Sequence, residues 1–110
     1  RYFDKITEEL VDPERLSASA DPFLAAIGRA HSAYRRTLFA SNRVDFAHLQ
    51  WLVHNLLQDD HAAASVTREI RYVLVDEYQD TNHIQERLLL KLTERTRNLC
   101  VVGDEDQSLY

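Results

Sequence analysis

Two short apolar runs, each followed at once by carboxylates, constrain the possible folds of this chain more than any other feature. The first run is Val73 to Val75 and the second is Leu99 to Val102. Between them, residues 81 to 95 place Ile and Leu side chains at the spacing of an amphipathic helix. A strand, a helix and a second strand at this length indicate a βαβ unit. We therefore expect two adjacent parallel strands near residues 72–76 and 99–103.

The residues that follow the two strands are strongly acidic: Asp76, Glu77, Asp104, Glu105 and Asp106. A lone carboxylate after a strand is most often an ordinary loop or helix-cap residue. Both strands of a βαβ unit, however, end at the same edge of the sheet, where open α/β sheets bind their ligands. Carboxylates gathered there repel one another unless a cation offsets them, and oxygen ligands suit magnesium better than zinc. The sequence therefore predicts a divalent-metal site at this edge.

Residues 1 to about 65 are predicted to be almost wholly helical. An Asp-Pro pair at 12–13 breaks a first helical pattern, a second pair at 21–22 starts the next helix, and Asp45 is a candidate cap for a third. In the second and third of these helices, the apolar spacing predicts which side is buried. The residues concerned are Phe23, Ile27, Ala30, Tyr34 and Leu38 in one helix, and Phe46, Leu49, Val53 and Leu56 in the next.

Composition limits the class of protein. The 110 residues allow one small domain, and hydrophobic and charged fractions of 45% and 28% are those of a folded chain. The single cysteine, Cys100, cannot form an internal disulfide and is expected to be a small buried side chain in a reducing compartment. No run has membrane-spanning length and no signal peptide is visible, so the predicted location is cytoplasmic. A net charge of −5 is unusual for a chain that binds nucleic acid.

The two acidic segments resemble two helicase motifs. Residues 76 to 82, Asp-Glu-Tyr-Gln-Asp-Thr-Asn, resemble motif II, the Walker B segment, of UvrD/Rep-type superfamily 1 DNA helicases. Residues 101 to 110 resemble motif III of the same family. Residues 44 to 49 resemble the Asp-Phe-Asp-Asp-Leu segment that opens a helix before motif II, with Ala and His in place of its last two acidic residues. Residues 1 to 43 resemble the family only in their helical character.

This resemblance implies an α/β fold, namely part of a RecA-like P-loop NTPase domain preceded by a helical segment. In the family's terms, residues 1–43 would be the end of insertion subdomain 1B, and residues 44–110 would be the C-terminal part of motor domain 1A. The implied activity of the parent protein is ATP-dependent DNA unwinding or translocation. Its cofactors would be ATP and Mg²⁺, and its partners single-stranded and duplex DNA.

The resemblance also implies a role for four residues. Asp76 would hold the nucleotide-associated magnesium, and Glu77 would orient and deprotonate the attacking water. Gln107 would sense the γ-phosphate of ATP. Tyr110 would lie on the path of single-stranded DNA, where an aromatic ring stacks on a base for about 1–3 kcal/mol.

A phosphate-cradling Walker A loop has the pattern Gly-x-x-x-x-Gly-Lys-Ser/Thr. The only glycines here are Gly28 and Gly103, and the only lysines are Lys5 and Lys91, so these 110 residues cannot form one. We therefore expect a piece of a longer protein, inactive alone and completed by the remainder of the helicase chain. Strands taken from a larger sheet leave exposed apolar edges, so the isolated piece is also expected to self-associate.

Two other functions explain part of the pattern. A metal-dependent nuclease would use the acidic cluster with two ions, but it gives no role to Gln79, Gln107 and Tyr110. A non-catalytic interaction module derived from a helicase would retain the loops without the chemistry. The adjacent carboxylates Asp76 and Glu77 favour an active ATP site over this second alternative.

Overall fold

The computed structural model describes residues 1–104, which form six α-helices, one 3-10 turn and two short strands. The elements are α1 (Tyr2–Glu8), α2 (Pro13–Ser17), α3 (Pro22–Ala40), α4 (Phe46–Leu56), α5 (Asp60–Thr67), β1 (Val73–Val75), the turn Tyr78–Asp80, α6 (His83–Thr93) and β2 (Leu99–Val101). The chain divides within α4 into two compact units, the first ending at Trp51 and the second beginning at Leu52. Within residues 1–104, no helix combines the length and apolar character needed to cross a bilayer.

Side-chain caps explain where several helices begin. Asp12 and Asp21 each precede a proline at the first helical position, and each accepts hydrogen bonds from backbone N–H groups of the first turn. Asp59 caps α5 through the N–H of Ala62 at 2.8 Å. Asn82 caps α6 in a reciprocal capping box with Gln85. The cap at Asp21 confirms the helix start predicted there, whereas Asp12, predicted only to end the first helical pattern, also begins α2.

The buried side of α3 is not the one predicted from apolar spacing. Phe23 and Ala30 of the predicted stripe are exposed, and the other members are only partly buried. The buried line is instead Ala25, Gly28 and His31. A Cβ added at Gly28 would lie 2.5 Å from the backbone N of Ser17 and 2.9 Å from the carbonyl carbon of Leu16. The small residues face inward because α2 packs against α3 almost backbone to backbone.

The prediction for α4 is correct at its start and wrong about its buried side. Asp45 caps the helix, since its Oδ1 accepts the N–H of His48 at 2.7 Å. Phe46 is 87% exposed, and the other members of the predicted stripe are exposed as well. The inward-facing residues of α4 are Ala47 and His48. His48 faces inward because its ring has polar and aromatic partners there, as described below.

β1 and β2 are adjacent and parallel, with Val73 opposite Leu99 and Val75 opposite Val101, and α6 connects them. This confirms the predicted βαβ unit. Hydrogen bonds at both ends extend the pairing: the Val73 N–H donates to the Asn98 carbonyl at 2.9 Å, and the Val102 N–H donates to the Val75 carbonyl at 2.8 Å. The two strands therefore end level with each other.

Only one face of this two-stranded sheet is covered among the described residues. Ile84 of α6 is completely buried, and Val73 and Val75 are half-buried. On the opposite face, Leu74 is 80% exposed and its neighbour across the sheet, Cys100, is exposed too. The predictions of a strand buried on both faces and of a buried Cys100 are therefore wrong for this chain. The reason is that, among the described helices, α6 makes the main contact with β1.

Candidate functional site

Three of the acidic residues predicted to meet at one edge of the sheet, Asp76, Glu77 and Asp104, lie within the described residues, and they do meet there. Asp76 and Glu77 directly follow β1, and Asp104 lies three positions after the end of β2. The N–H of Tyr78 donates to the carbonyl of Val102 at 3.0 Å, which ties the loop after β1 to the end of β2. Glu105, Asp106, Gln107 and Tyr110 lie outside the described residues.

Glu77 has an unusual backbone for its residue type. Its φ and ψ are 52° and 42°, in the left-handed region, which costs a non-glycine residue about 1–2 kcal/mol. Hydrogen bonds on both sides hold this conformation. The Glu77 N–H donates to Oδ1 of Asp76 at 2.8 Å, and the Glu77 carbonyl accepts the N–H of Asp80 at 2.9 Å. Such backbone strain is concentrated at functional sites in proteins.

Gln79 links the two loops through the two ends of its side-chain amide. Its Nε2 donates to Oε2 of Glu77, and its Oε1 accepts the backbone N–H of Asp104 at 3.0 Å. A Cβ added at Gly103 would overlap Oε1 of Gln79 and would lie 3.3 Å from the backbone N of both Tyr78 and Gln79. A glycine at position 103 therefore leaves the space that the Gln79 amide occupies.

No separate role was predicted for Gln79 from the sequence. A signal for that role is present in the sequence, namely the glycine at the end of the second apolar run, because a strand-terminal glycine marks a close approach of another group. The identity of the approaching group depends on a contact between residues 25 positions apart, which no local pattern contains.

A cavity of about 550 Å³ adjoins the carboxylates. Its polar wall consists of Asp76, Glu77, Asp80, Thr81 and Gln85, and its apolar wall of Val75, Leu88, Leu89 and Leu92. Carboxylate and hydroxyl oxygens are ligands that suit Mg²⁺, which in phosphate-binding sites is held by one or two carboxylates together with waters and substrate phosphates. No group of three or more His, Cys, Asp or Glu side chains in residues 1–104 is arranged to hold a metal. The described carboxylates beside the cavity therefore do not form a complete metal site by themselves.

The first compact unit contains a separate polar cluster around two buried histidines. The rings of His31 and His48 stack with centroids 5.6 Å apart. Nε2 of His31 lies 3.1 Å from Oγ1 of Thr7, and Nδ1 of His48 lies 2.8 Å from Oδ1 of Asp45, whose other oxygen accepts the Tyr34 hydroxyl at 2.7 Å. These contacts join α1, α3 and α4 within the unit.

The cluster shifts three protonation equilibria. Burial, followed by the nearby charges of His48 and Arg35, lowers the pKa of His31. Burial alone would raise the pKa of Asp45, but hydrogen bonds from the His48 N–H, the Tyr34 hydroxyl and the His48 ring outweigh it and lower that pKa. The hydrogen bond to Asp45, assisted by burial, raises the pKa of Tyr34. These shifts favour a neutral His31 and an ionised Asp45 at neutral pH.

Comparison with known proteins gives one family and several relatives. The model of the UvrD/REP helicase N-terminal domain matches residues 1–110. The ATP-dependent DNA helicase UvrD1 of Mycobacterium tuberculosis is 39% identical over 117 residues, covering 96% of this chain and 15% of the relative. PcrA of Bacillus subtilis is 36% identical over 104 residues, covering 93% and 14%. Rep of Buchnera aphidicola is 42% identical over 83 residues, covering 74% and 12%. The chain thus spans a small part of the length of these relatives.

Proposed function

Because this chain belongs to the UvrD/REP helicase N-terminal domain family, we propose that it supplies the Walker B half of an ATP site in an ATP-dependent DNA helicase or translocase. The observation that carries the proposal is the meeting of the two loops at one edge of a parallel strand pair. Asp76 and Glu77 border a cavity there whose size is sufficient for the phosphates of a nucleotide. The relatives with this segment are named as ATP-dependent DNA helicases.

Phosphoryl transfer depends mainly on positioning and charge neutralisation. Mg²⁺, when bound with ATP, supplies positive charge beside the phosphates. Asp76, directly after β1, would hold that ion. Glu77, displaced by one residue and held by the Gln79 amide, would orient the attacking water and accept its proton on a carboxylate oxygen. Gln107 as a γ-phosphate sensor and Tyr110 as a base-stacking residue complete the proposal from the motif III resemblance.

The domain assignment forms part of this proposal. Residues 1–43 would be the end of insertion subdomain 1B, and residues 44–110 the C-terminal part of a RecA-like motor domain 1A. The Walker A loop, the second motor domain and the main DNA-binding surface would come from the remainder of a longer helicase chain. These 110 residues alone would then hydrolyse no ATP, and the proposed location of the intact protein is the cytoplasm. The exposed sheet face at Leu74 and Cys100 supports a missing covering element.

The test is Glu77→Gln in the full-length protein that contains this segment. The variant keeps the size and hydrogen-bonding capacity of the side chain but removes the base. We expect ATP turnover to fall by about 10²–10⁴-fold while ATP binding, measured with a fluorescent analogue, stays near wild type. Glu86→Gln is the matched control, because Glu86 is exposed on α6. Unchanged turnover in Glu77→Gln would contradict the proposal.

A second measurement separates this proposal from a two-ion nuclease. Calorimetric titration of the full-length protein with Mn²⁺ in the absence of nucleotide is expected to show weak binding, because phosphate oxygens would be missing from the ligand set. Tight Mn²⁺ binding without nucleotide, together with DNA cleavage, would favour the nuclease. Absence of both ATP turnover and cleavage would favour the non-catalytic interaction module.

A further inference from the structure

We propose that Gln79 is a positioning residue for Glu77, through which the loop after β2 sets the orientation of the catalytic carboxylate. This inference rests on the proposed function of Glu77 as the base in ATP hydrolysis. It identifies the Gln79 side chain as the connection between the loop after β1 and the loop after β2. Gln79 contacts neither the water nor the nucleotide in this scheme, and it acts through Glu77.

The first support is the pair of hydrogen bonds made by one side-chain amide. The amide donates to the Glu77 carboxylate at one end and accepts the Asp104 N–H at the other. An amide group is rigid and planar, so its oxygen and nitrogen move together. If the Asp104 N–H shifts and keeps its bond to Oε1 of Gln79, Nε2 and its bond to the Glu77 carboxylate shift as well. The Glu77 carboxylate would therefore follow the start of the loop after β2.

The second support is the slot in which the amide lies. The Tyr78 N–H bonds to the Val102 carbonyl, so the turn and the end of β2 cannot separate freely. Gly103 forms the opposite wall, and a Cβ there would overlap the amide oxygen of Gln79. A glutamine amide fills this slot only while position 103 carries no side chain. Gln79 and Gly103 thus form a matched pair on two different loops.

The third support is the backbone of the turn that carries Gln79. The Asp80 N–H bonds to the Glu77 carbonyl at 2.9 Å, and the Thr81 N–H bonds to the Tyr78 carbonyl at 3.0 Å. These bonds fix the direction in which position 79 projects. They leave the Glu77 side chain to be oriented by its own contacts, and the contact described for its carboxylate is with Gln79.

The chemistry of the two bonds selects glutamine among residues of similar size. Asn is one methylene shorter and cannot span the same pair of partners. Glu retains the acceptor for the Asp104 N–H, but it lacks the donor and places a second negative charge beside Glu77. Met fills the slot with neither bond. Substitutions at position 79 can therefore separate the two bonds from the volume of the side chain.

The experiment uses the full-length protein with Gln79→Met, Gln79→Glu and Gly103→Ala. Steady-state ATP hydrolysis is measured with and without single-stranded DNA, and ATP binding is measured separately with a fluorescent analogue. We expect kcat to fall about 10–100-fold in Gln79→Met, since a misplacement near 1 Å costs about that much, with nucleotide affinity within about 2-fold of wild type. Gln79→Glu is expected to lose at least as much kcat, because the added charge repels Glu77.

Gly103→Ala tests the coupling from the other side. It leaves every hydrogen-bonding group intact but pushes the amide out of its slot, so a fall in kcat without a change in ATP affinity is expected. The double variant Gln79→Met/Gly103→Ala is expected to be no slower than Gln79→Met, because both changes break one connection. Gln58→Met is the matched control, since Gln58 is exposed and donates to the His54 carbonyl, one turn earlier in the chain.

Three outcomes would overturn the inference. They are wild-type kcat in Gln79→Met, a loss of ATP affinity without a loss of kcat, and independent multiplicative effects of the two substitutions. If Gln79→Met fails to fold by circular dichroism, then Gln79→Glu and Gly103→Ala decide by the same criteria. Failure of the proposed function is distinguishable, because Glu77→Gln would then retain turnover whatever happens at position 79.

Discussion

His31 and His48 stack with an angle of 18° between their rings, and both side chains are almost fully buried, at 2% and 1% exposure. Nδ1 of His31 and Nε2 of His48 have no hydrogen-bond partner within residues 1–104, although both atoms are buried. A proton added to the His31 ring would bring a charge into this packed cluster. His31 therefore makes the first compact unit sensitive to acid.

The first prediction is a loss of stability on mild acidification. Burial, then His48 and Arg35, lower the pKa of His31 from 6.5, whereas Asp45 opposes the shift. The unfolded chain therefore binds a proton at a higher pH than the folded chain, and the free energy of unfolding falls as pH drops below about 6.5. Urea denaturation between pH 8 and 5 checks this. His31→Gln should flatten the dependence, whereas His61→Gln, at an exposed position, should not.

The second prediction concerns Asp45, which accepts hydrogen bonds from the Tyr34 hydroxyl, the His48 N–H and the His48 ring. Asp45→Ala removes all three bonds and leaves three part-buried donors without their acceptor. We expect a loss of about 2–4 kcal/mol in the free energy of unfolding. Asp59→Ala is the comparison, because Asp59 caps α5 through the Ala62 N–H and its loss should cost about 1 kcal/mol. Equal losses of unfolding free energy in Asp45→Ala and Asp59→Ala would contradict the prediction that the histidine cluster adds stability beyond a helix cap.

The third prediction concerns the contact between α2 and α3. Gly28→Ala places a methyl group against the Ser17 and Leu16 backbone, which cannot move as a side chain can. Although alanine is the better helix former, overpacking should dominate and destabilise the chain by about 1–3 kcal/mol. Thermal denaturation measures the effect. Ala30→Leu, a larger change at an exposed position of the same helix, should alter stability by no more than about 0.5 kcal/mol.

The fourth prediction is that the isolated chain self-associates. The exposed sheet face around Leu74 and Cys100 and the exposed apolar side of α4 are surfaces that favour association. Analytical ultracentrifugation under reducing conditions should show a concentration-dependent increase in mass. Leu74→Lys should weaken it, whereas Glu86→Lys, at an exposed polar position of α6, should not. A monodisperse monomer at high concentration would contradict this prediction.

The βαβ unit was predictable because its evidence is local. Two apolar runs and a helical segment of suitable length leave few topologies, and parallel strands joined by a helix must end at the same edge. Asp21 and Asp45 were likewise recognisable as helix caps from their positions, whereas Asp12 was recognised only as part of a helix break. Membership of the helicase family followed from the residues that come immediately after each strand.

The buried sides of α3 and α4 were not predictable from the same kind of pattern. Both helices carry apolar residues on more than one side, so periodicity identified the helices but not the side that packs. The inward residues are Gly28, which permits a close backbone contact, and His31 and His48, whose burial depends on partners from other elements. Hydrophobicity does not mark residues of either kind. The role of Gln79 was hidden for a similar reason, because its partners become neighbours only in the folded chain.

The left-handed backbone at Glu77 has a consequence for how this position can vary. Glycine adopts that conformation without the steric penalty that a glutamate bears, and asparagine tolerates it better than most residues. Selection for thermodynamic stability alone would therefore favour glycine or asparagine at position 77, and selection for hydrolysis would favour glutamate. A library screened only for folding should drift away from Glu77, whereas one screened for ATP turnover should retain it, so the residue found at this turn reports which of the two demands a sequence has met.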